Sequence, residues 1–522
     1  MTTVTTISGH QRHIPAAMAT QHPDNANKPS WSTRSDGKIT LEMEGEEAFR
    51  NFSLGVQETM WDNEGKHADY GIGLKLVETY EDYFTEHQIG RDAYITYRIP
   101  NRWMQKGGIH RHVFTAIAAE NETLASYGFH SHAFFEVILP FTEDPYQLLG
   151  VQMDYVLNNS GRRVPEYLEV IPLIEGPARL IDIQDILEGY VRGMRRIWNT
   201  DVRYVRPFAA RSDPAMDSGL VAADLFALGS VSEFEQFSQR MNIPVYPIMG
   251  AGACVFRGGL APDRIDDFIQ KYPGFRTVTV QSAFRYDYPE ESVRTAVAKL
   301  NELLPQSAAR VMDEREMNHV HELMDIFSTP YKSTVTQREN GRMPIADTII
   351  EVADKFIPSH RQRAGHTGQF AYARSVENAA EVELPRAIKY CAAFMALGIP
   401  PEVIGVGRGI EVARERGLMG DLEAMLPLLQ ADLSRALRYV NEDALAHFAQ
   451  QSEAWARVRD DVRLVAEYTG QPVGPQTPDE VRHLNHTRNF VELLKRWGGN
   501  PDIAEEMTDE VLKAAKRRQY LG

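Results

Sequence analysis

Cysteine is scarce in this sequence: Cys254 and Cys391 are the only two among 522 residues. Two cysteines are too few for a disulfide framework or a cysteine-rich zinc site, so they predict packing residues in a reducing compartment. Long apolar runs are also lacking, since none approaches the ~20 residues of a membrane span. The polar start MTTVTTISGHQRH lacks the apolar stretch of a signal peptide. These absences predict a cytoplasmic protein without a membrane partner.

Positive charge is in deficit as well. The chain has 56 Lys and Arg residues against 72 Asp and Glu, which gives a formal net charge of −16. Nucleic-acid surfaces and polybasic membrane patches both need an excess of Lys and Arg, so the composition argues against both kinds of partner. Any anionic ligand must therefore meet a local cluster of basic residues.

Apolar residues make up 43% of the chain, which suffices for a large core and excludes a disordered protein. Six runs rich in Val, Ile, Tyr and Phe start roughly 30 to 40 residues apart, the length of a βα unit. They span residues 92–99, 132–141, 167–175, 201–210, 243–251 and 276–284. Apolar strands that alternate with helices predict a parallel sheet covered on both faces. Six repeats favour an α/β fold of the (β/α)8 TIM-barrel type, with the other two strands in less regular sequence.

Three regions follow along the chain, and we expect them to form one structural unit. Residues 1–90 are predicted to be an N-terminal segment with a loop at the site and helices. Residues 91–375 are predicted to hold the barrel core. After about residue 375 the pattern becomes helical, so residues 376–522 are predicted to be a mainly helical region packed on the barrel.

Barrel enzymes place their chemistry at the carboxyl ends of the strands, and polar residues follow several predicted strands here. These residues are Arg98, Glu175, Arg211 with Asp213, Arg257, and Gln281 with Arg285. Any one of these residues could simply mark the point where the chain leaves a strand and returns to solvent. Their coincidence at five strand ends predicts a functional site at this rim.

Two of these residues are carboxylates on neighbouring strands, Glu175 and Asp213. Two carboxylates, with waters and a substrate oxygen, suit Mg²⁺ or Mn²⁺, which prefer oxygen ligands. The alternative is that Asp213 caps a helix and Glu175 is a solvent-facing turn residue. Asp217 is the weaker choice of ligand and is expected to support the first helical turn.

The glycine-rich stretch MGAGACVFRGGLAP, residues 249–262, follows a predicted strand and carries Arg257. Glycines such as Gly258 and Gly259 let backbone amides approach an anion, and arginine adds a bidentate donor for phosphate or carboxylate. The stretch matches neither a Walker loop nor a dinucleotide-binding motif. A plain surface loop is the alternative.

Further basic residues gather later in the chain, interleaved with glycines and aromatic residues. They include Lys332, Arg338, Arg361, Arg363 and Arg374. In a chain with so negative a net charge, this clustering indicates an anion pocket. Surface salt bridges remain the explanation for some of them.

Two stretches near the N-terminus have no clear periodicity. Residues 56–69, VQETMWDNEGKHAD, place charge around Trp61, which fits a rim element or, as we slightly favour, an amphipathic helix. Residues 18–30, MATQHPDNANKPS, contain His22 before a proline that restricts the backbone. This stretch is either a loop that reaches across to the barrel mouth and presents His22 or an ordered arm whose histidine binds a backbone carbonyl.

Several motifs together carry a resemblance over essentially the whole chain: QHPDN, VIPLIEG, RSDPAMDSG, FRGGLAP, QSAFRYDYP and GHTGQFAYAR. In this order they resemble phosphoenolpyruvate carboxylase of the short, archaeal type. The resemblance implies that His22 is the catalytic histidine, that Glu175 and Asp213 bind the metal, and that Arg257 is a catalytic arginine. Arg98, at the predicted rim, is placed with them as a catalytic residue.

The sequence departs from the long-form carboxylases at Met216, where they have a lysine, and at Ala251, where they have an arginine. The resemblance therefore leaves open whether Arg211, Lys332, Arg338 or the later arginines supply the missing contacts, or whether the anion is held differently. The ending RQYLG also differs from the long-form ending, so the resemblance leaves feedback inhibition by aspartate open.

The implied reaction is an irreversible, Mg²⁺-dependent carboxylation, with Mn²⁺ as an alternative metal. Phosphoenolpyruvate and bicarbonate give oxaloacetate and phosphate through carboxyphosphate and a metal-bound enolate. The resemblance also implies a homotetramer. Two alternatives stay open: a metal-dependent lyase or aldolase that forms a pyruvate enolate in the same class of barrel, and a barrel that serves as a non-catalytic scaffold.

Overall fold

The computed structural model describes residues 2–34, 36–62, 71–103, 109–162, 165–361 and 384–522. Its strands are β1 (Thr3–Thr5), β2 (Gln11–His13), β3 (Ala17–Ala19), β4 (Glu58–Asp62), β5 (Tyr94–Arg98), β6 (Glu136–Leu139), β7 (Glu169–Ile174), β8 (Phe208–Ala210), β9 (Ile248–Gly250) and β10 (Thr277–Val280). Strands β3 to β10 form a closed parallel barrel in chain order, and β10 pairs with β3 to close it. The prediction of an α/β barrel of the TIM type is confirmed.

Helices cover the barrel and continue after it. Up to residue 355 they are α1 (Glu44–Ser53), α2 (Ile72–Thr79), α3 (Glu81–Glu86), α4 (Ile109–Ser126), α5 (Pro145–Asn159), α6 (Ile183–Trp198), α7 (Ser212–Ser218), α8 (Leu220–Met241), α9 (Ile265–Lys271), α10 (Ser282–Tyr286), α11 (Glu290–Leu303), α12 (Glu314–Val335) and α13 (Pro344–Lys355). They are followed by α14 (Ala387–Ala396), α15 (Val406–Glu415), α16 (Met419–Met425), α17 (Leu429–Leu437), α18 (Glu442–Gln451), α19 (Glu453–Thr469), α20 (Pro478–Leu494) and α21 (Pro501–Arg518). One continuous apolar core extends from Ile7 to Leu521.

The two barrel strands that the sequence pattern did not reveal are β3 and β4. Both lie within residues 1–90, ahead of the expected start of the barrel core at residue 91. The helix favoured around Trp61 is wrong, because Glu58–Asp62 is a barrel strand in which all residues are buried. His22 likewise needs no long loop to reach the barrel mouth, because it lies three residues after the end of β3. A three-residue strand is too short to show a period, so its pattern was invisible in the sequence.

The barrel interior contains an apolar layer and a charged layer. The apolar layer is formed by Met18, Met60, Ile138, Ile171, Leu173, Phe208, Ala210 and Ile248. The charged layer lies at the amino ends of the strands, where Arg206 binds Glu58 at 2.7 Å and Glu136 at 2.6 Å. The β1–β2 hairpin closes this end, because its Arg12 also forms an ion pair with Glu136. Buried charges need such pairing, so these ion pairs stabilise the amino end of the barrel. The carboxyl end, where barrel enzymes place their active sites, is not closed by this hairpin.

A third carboxyl group at the closed end, Glu169, accepts a hydrogen bond from the backbone N–H of Ile7. Burial raises the pKa of Glu169 from 4.5 to about 8, and the nearby Glu136 acts in the same direction. The folded state therefore favours the protonated form of Glu169. The stability that this preference contributes is complete below pH 4.5 and is lost as the pH rises through about 8.

We expect Glu169→Gln, which keeps an oxygen for Ile7 and cannot ionise, to remove this loss. The free energy of unfolding of the variant, relative to that of the unmodified protein, should increase between pH 5 and pH 8.5 by on the order of 3 kcal/mol. Urea unfolding of both proteins across this range measures the difference, in which all other titrating groups cancel. A difference that is independent of pH would show that Glu169 does not titrate in this way.

Among the described residues, no single helix is both long enough and apolar enough to cross a membrane. One bent pair of helical segments, Ala387–Ala396 and Pro401–Glu415, meets the length and composition requirements when the two are taken together, with an angle of 98° between them.

Candidate active site

A cavity of about 410 Å³ lies at the carboxyl ends of the barrel strands. Residues in or after β3, β4, β5, β7, β8, β9 and β10 contribute to it, and so do residues at the start of α14. Its lining residues are His22, Pro23, Met60, Arg98, Leu173, Glu175, Phe208, Ala210, Arg211, Ser212, Asp213, Gly250, Arg257, Thr279, Gln281, Pro358, Ser359, Arg386, Ala387, Ile388 and Lys389. The structure therefore brings together the predicted histidine, both predicted carboxylates and three of the predicted arginines.

His22 projects from the loop after β3. Its ring is held on two sides: Thr20 Oγ1 lies 3.0 Å from Nδ1, and Asp62 Oδ2 lies 3.8 Å from Nε2. The side chain keeps 26% of its surface exposed, toward the cavity. The backbone of the loop is anchored by Asp24, whose carboxylate accepts the N–H of Ala283 at 2.7 Å. The loop after β3 thus presents one oriented imidazole to the cavity.

The surroundings of His22 keep it neutral. Its pKa is lowered from 6.5 to about 3, first by the burial of the ring and then by the positive charges of Arg98, Arg257 and Arg386. The carboxylate of Asp62 acts in the opposite direction. At neutral pH His22 is therefore an unprotonated imidazole among cations, the form that has a ring nitrogen free to accept a proton.

The two carboxylates occupy neighbouring strand ends. Glu175 follows β7, and its Oε2 accepts the N–H of Phe141 at 2.9 Å, while its Oε1 lies 3.8 Å from Arg98 Nη2. Asp213 is in the first turn of α7, whose N-cap residue is Arg211, and it lines the cavity. Asp217, the weaker candidate, is paired with Lys332 at 3.2 Å.

Arg257 is a cation of the cavity that is held by several hydrogen bonds. Its guanidinium donates to Gln281 Oε1 at 2.6 Å, to the main-chain oxygen of Gly522 at 2.6 Å, to Ser212 Oγ at 3.2 Å and to Asp24 Oδ2 at 3.3 Å. These contacts come from separate parts of the chain and fix the position of the charge before any substrate binds.

The glycines beside Arg257 do not act as predicted. The N–H of Gly258 donates to Val255 O at 2.9 Å, and the N–H of Gly259 donates to Cys254 O at 3.0 Å, so neither amide points to an anion. Both glycines have positive φ values, +112° and +79°. They allow the tight turn that places Arg257 and so shape the site instead of binding its ligand.

Arg211 lines the cavity, but its guanidinium points into the protein. It donates to Asp224 Oδ1 at 2.6 Å and 2.9 Å, to Phe256 O at 3.0 Å and to Leu220 O at 3.1 Å. The side chain is completely buried. The predicted anion-binding role does not fit this arrangement, because the hydrogen-bond donors of Arg211 are used to join α8 to the loop after β9.

Three other residues predicted to bind anions are not among the described residues that line the cavity. Lys332 is paired with Asp217, and Arg338 is an exposed residue outside the lining. Arg361 is buried in ion pairs with Glu44 at 3.0 Å and Glu47 at 2.7 Å. Two further predictions, Arg363 and Arg374, lie outside the described residues.

The sequence analysis missed three residues of the site: Asp62, Arg386 and Lys389. Arg386 and Lys389 line the cavity from the start of α14, far from the barrel strands in the chain. No pattern linked this helix to the barrel mouth. The signal for Asp62 was its position at the end of β4, which became visible only when that strand was recognised.

The donor set fits one kind of metal site. The described residues contain no group of three or more His, Cys, Asp or Glu side chains placed to hold a metal. Two carboxylates, Glu175 and Asp213, line the cavity. Mg²⁺ is commonly bound through one or two carboxylates and takes its other ligands from water and substrate oxygens. The pair therefore fits Mg²⁺ or Mn²⁺ that takes its further ligands from water and a substrate.

Comparison with known proteins agrees with this geometry. A family model described as phosphoenolpyruvate carboxylase matches residues 14–522. A phosphoenolpyruvate carboxylase from Leuconostoc mesenteroides is 36% identical over 98% of this chain and 99% of its own length. Relatives of the same name come from Methanothermobacter thermautotrophicus, at 34% identity over 98% of this chain and 100% of its own, and from Metallosphaera sedula, at 32% identity over 93% and 96%.

Proposed function

Because the chain belongs to the phosphoenolpyruvate carboxylase family, we propose that it carboxylates phosphoenolpyruvate with bicarbonate and releases oxaloacetate and inorganic phosphate. One observation carries the proposal: a single cavity joins a neutral histidine, two carboxylates and several cations at the carboxyl end of the barrel. The two substrates bring phosphate, carboxylate and bicarbonate charges, which need these cations. A scaffold protein would have no need for such a combination.

We assign the binding of the substrate anions to Arg98, Arg257 and Arg386. All three line the cavity, and all three act on the charge state of His22, so they surround the same space. Arg386 is the best candidate for the positive charge that is missing at Met216 and Ala251. Because Arg257 is held by several partners, it binds an anion with little loss of side-chain freedom.

Glu175 and Asp213 are assigned as the carboxylates that hold the divalent cation, Mg²⁺ or Mn²⁺. When bound, this cation supplies a Lewis acid that stabilises negative charge on the reacting oxygens. The carboxylates themselves orient the site, since the N–H of Phe141 fixes one oxygen of Glu175. Arg98, near the other oxygen, balances the charge of the pair.

In the first step an oxygen of bicarbonate attacks phosphorus, and the bond between phosphorus and the enol oxygen breaks. The products are carboxyphosphate and the enolate of pyruvate, and the arginines stabilise the charge that collects on the phosphoryl oxygens. In the second step we assign to His22 the removal of the carboxyl proton of carboxyphosphate. The bond between carbon and the bridging oxygen then breaks, giving CO₂ and phosphate, and the proton passes from His22 to phosphate.

In the last step the methylene carbon of the enolate forms a bond to CO₂, which gives oxaloacetate. Water must be kept out until then, because a proton on the same carbon would give pyruvate instead. The apolar side chains of Met60, Leu173, Phe208 and Ile388 line the cavity and support this exclusion.

The experiment that tests the function is an assay for oxaloacetate and phosphate with phosphoenolpyruvate, Mg²⁺ or Mn²⁺, and added bicarbonate. Both products should form in equal amounts and only with bicarbonate. A lyase or aldolase that forms a pyruvate enolate needs no bicarbonate, and a scaffold forms no product. Phosphate release that is absent, or that does not depend on bicarbonate, would refute the carboxylase proposal.

We further propose that the protein is a cytoplasmic homotetramer. The low cysteine content supports the reducing compartment, and the family resemblance supports the tetramer. Sedimentation equilibrium of the 59.0 kDa chain measures the assembly directly, and a monomeric or dimeric mass at working concentration would contradict it.

A further inference from the structure

Asp62 stands next to His22 without lining the cavity. It is the last residue of β4 and is buried, and its backbone N–H donates to Gln21 Oε1 at 3.2 Å. Its two carboxylate oxygens face different groups of the site: Oδ2 lies 3.8 Å from His22 Nε2, and Oδ1 lies 3.5 Å from Arg98 Nη1. Asp62 thus connects the imidazole to one of the arginines.

This position favours an indirect role over a direct role in binding. Asp62 is not among the described residues that line the cavity, so it is not placed to contact a substrate or to share the metal with Glu175 and Asp213. Its distance to His22 is longer than a direct hydrogen bond but within the range of an ion pair. Any effect of Asp62 on the chemistry therefore acts through His22 or Arg98.

The charge balance indicates what that effect is. Arg98, Arg257 and Arg386 disfavour a protonated His22, and Asp62 is the carboxylate that opposes them. A histidine that accepts a proton becomes a cation, and among three arginines this cation is costly unless a negative charge is near. Thr20 holds the other ring nitrogen and keeps Nε2 turned toward Asp62.

We propose that Asp62 is a positioning residue of the reaction, which orients the ring of His22 and stabilises the cation that forms when His22 takes the proton of carboxyphosphate. The proposal rests on the proposed function. It predicts that Asp62 governs the second step, the breakdown of carboxyphosphate, and not the first step, in which bicarbonate attacks phosphorus.

The product ratio tests this prediction. Without an effective His22, carboxyphosphate still forms, but it is lost to hydrolysis and the enolate is protonated to pyruvate. We expect Asp62→Asn to lower the kcat for oxaloacetate about 100-fold and to leave the KM for phosphoenolpyruvate within about 3-fold. The amount of oxaloacetate per phosphate released should fall at least about 10-fold, with pyruvate as the other product.

A double variant separates positioning from general damage. When Asp62→Asn is added to His22→Asn, the ratio of oxaloacetate to phosphate should not change further, because both residues serve one step. Asp154→Asn is the matched control: Asp154 also pairs with an arginine, Arg102, at 2.6 Å, but lies outside the cavity lining. This control should keep the unmodified product ratio. If Asp62→Asn does not fold, Asp62→Glu keeps the charge and should retain a ratio nearer to that of the unmodified protein.

The outcomes distinguish the two proposals. If the unmodified protein forms no oxaloacetate, the proposed function itself fails. If the unmodified protein forms oxaloacetate and Asp62→Asn keeps its kcat and product ratio, only the role of Asp62 is refuted. The role is also refuted if Asp62→Asn weakens substrate binding and leaves the product ratio unchanged, because Asp62 would then act only through Arg98. Where Asp62→Glu is the variant that folds, a product ratio as low as that of His22→Asn refutes the role as well.

Discussion

His22→Asn is expected to abolish oxaloacetate formation while phosphoenolpyruvate and the divalent cation still bind. Asparagine keeps a polar side chain next to Thr20 but does not accept a proton near neutral pH. Loss of a general base typically costs about 100- to 10,000-fold in rate. Since His22 is assigned to the second step only, bicarbonate-dependent phosphate release should continue, and pyruvate should replace oxaloacetate. Separate assays of the three products, with a binding measurement for phosphoenolpyruvate, check the result.

A surface histidine provides the control for His22. His319 pairs with Asp421 at 3.1 Å and does not line the cavity, so His319→Asn should keep full activity and the normal products. If His22→Asn retained full oxaloacetate formation, His22 would have no part in the mechanism. A loss of phosphoenolpyruvate binding without a change of products would assign His22 to substrate binding.

Removal of either predicted metal ligand should have the second large effect. Glu175→Gln keeps an oxygen for the N–H of Phe141, and Asp213→Asn changes the side-chain volume little, so both variants should fold. Each replaces one of the two carboxylates that line the cavity in the described part of the chain. We expect the Mn²⁺ or Mg²⁺ concentration for half-maximal activity to rise at least about 100-fold, since even the outer partners of a metal site contribute 10- to 100-fold.

Binding of Mn²⁺, measured directly by electron paramagnetic resonance without substrate, separates a metal effect from a catalytic effect. Glu143→Gln is the matched control, since Glu143 follows β6 at the same end of the barrel but contacts Arg179 outside the cavity lining. If both ligand variants kept the unmodified metal requirement, the ligands would lie elsewhere. If only one variant lost metal affinity, the site would use a single carboxylate from this pair.

Much of the fold could be predicted because apolar strands repeat at a regular distance. The six recognised runs overlap the six strands from β5 to β10. The first two strands escaped because β3 is only three residues long, and because β4 carries Glu58 and Asp62 at its ends, which is unusual for a buried strand. Glu58 is tolerated there because Arg206, distant in the chain, neutralises it inside the barrel.

The sequence predicted site residues that lie at strand ends. It gave the wrong role to a residue whose hydrogen-bond partners are distant in the chain. His22, Arg98, Glu175, Asp213 and Arg257 lie at or after strand ends and line one cavity. The roles of the residues themselves remain predictions. The sequence did not reveal that the donors of Arg211 are used by Asp224 and by backbone carbonyls, because a hydrogen-bond partner in space leaves no trace in the local pattern.

By itself, the sequence determined the class of fold, the end of the barrel that carries the chemistry and the excess of carboxylates over cations that makes a local basic cluster necessary. These features depend on local periodicity and composition. Only the tertiary structure decided which cations face the cavity: Arg257 and Arg386 do, whereas Arg361 is paired with Glu44 and Glu47. The physical reason is that folding brings together residues hundreds of positions apart. These neighbours decide whether a cation is paired with a carboxylate or faces the cavity, where it can bind a ligand.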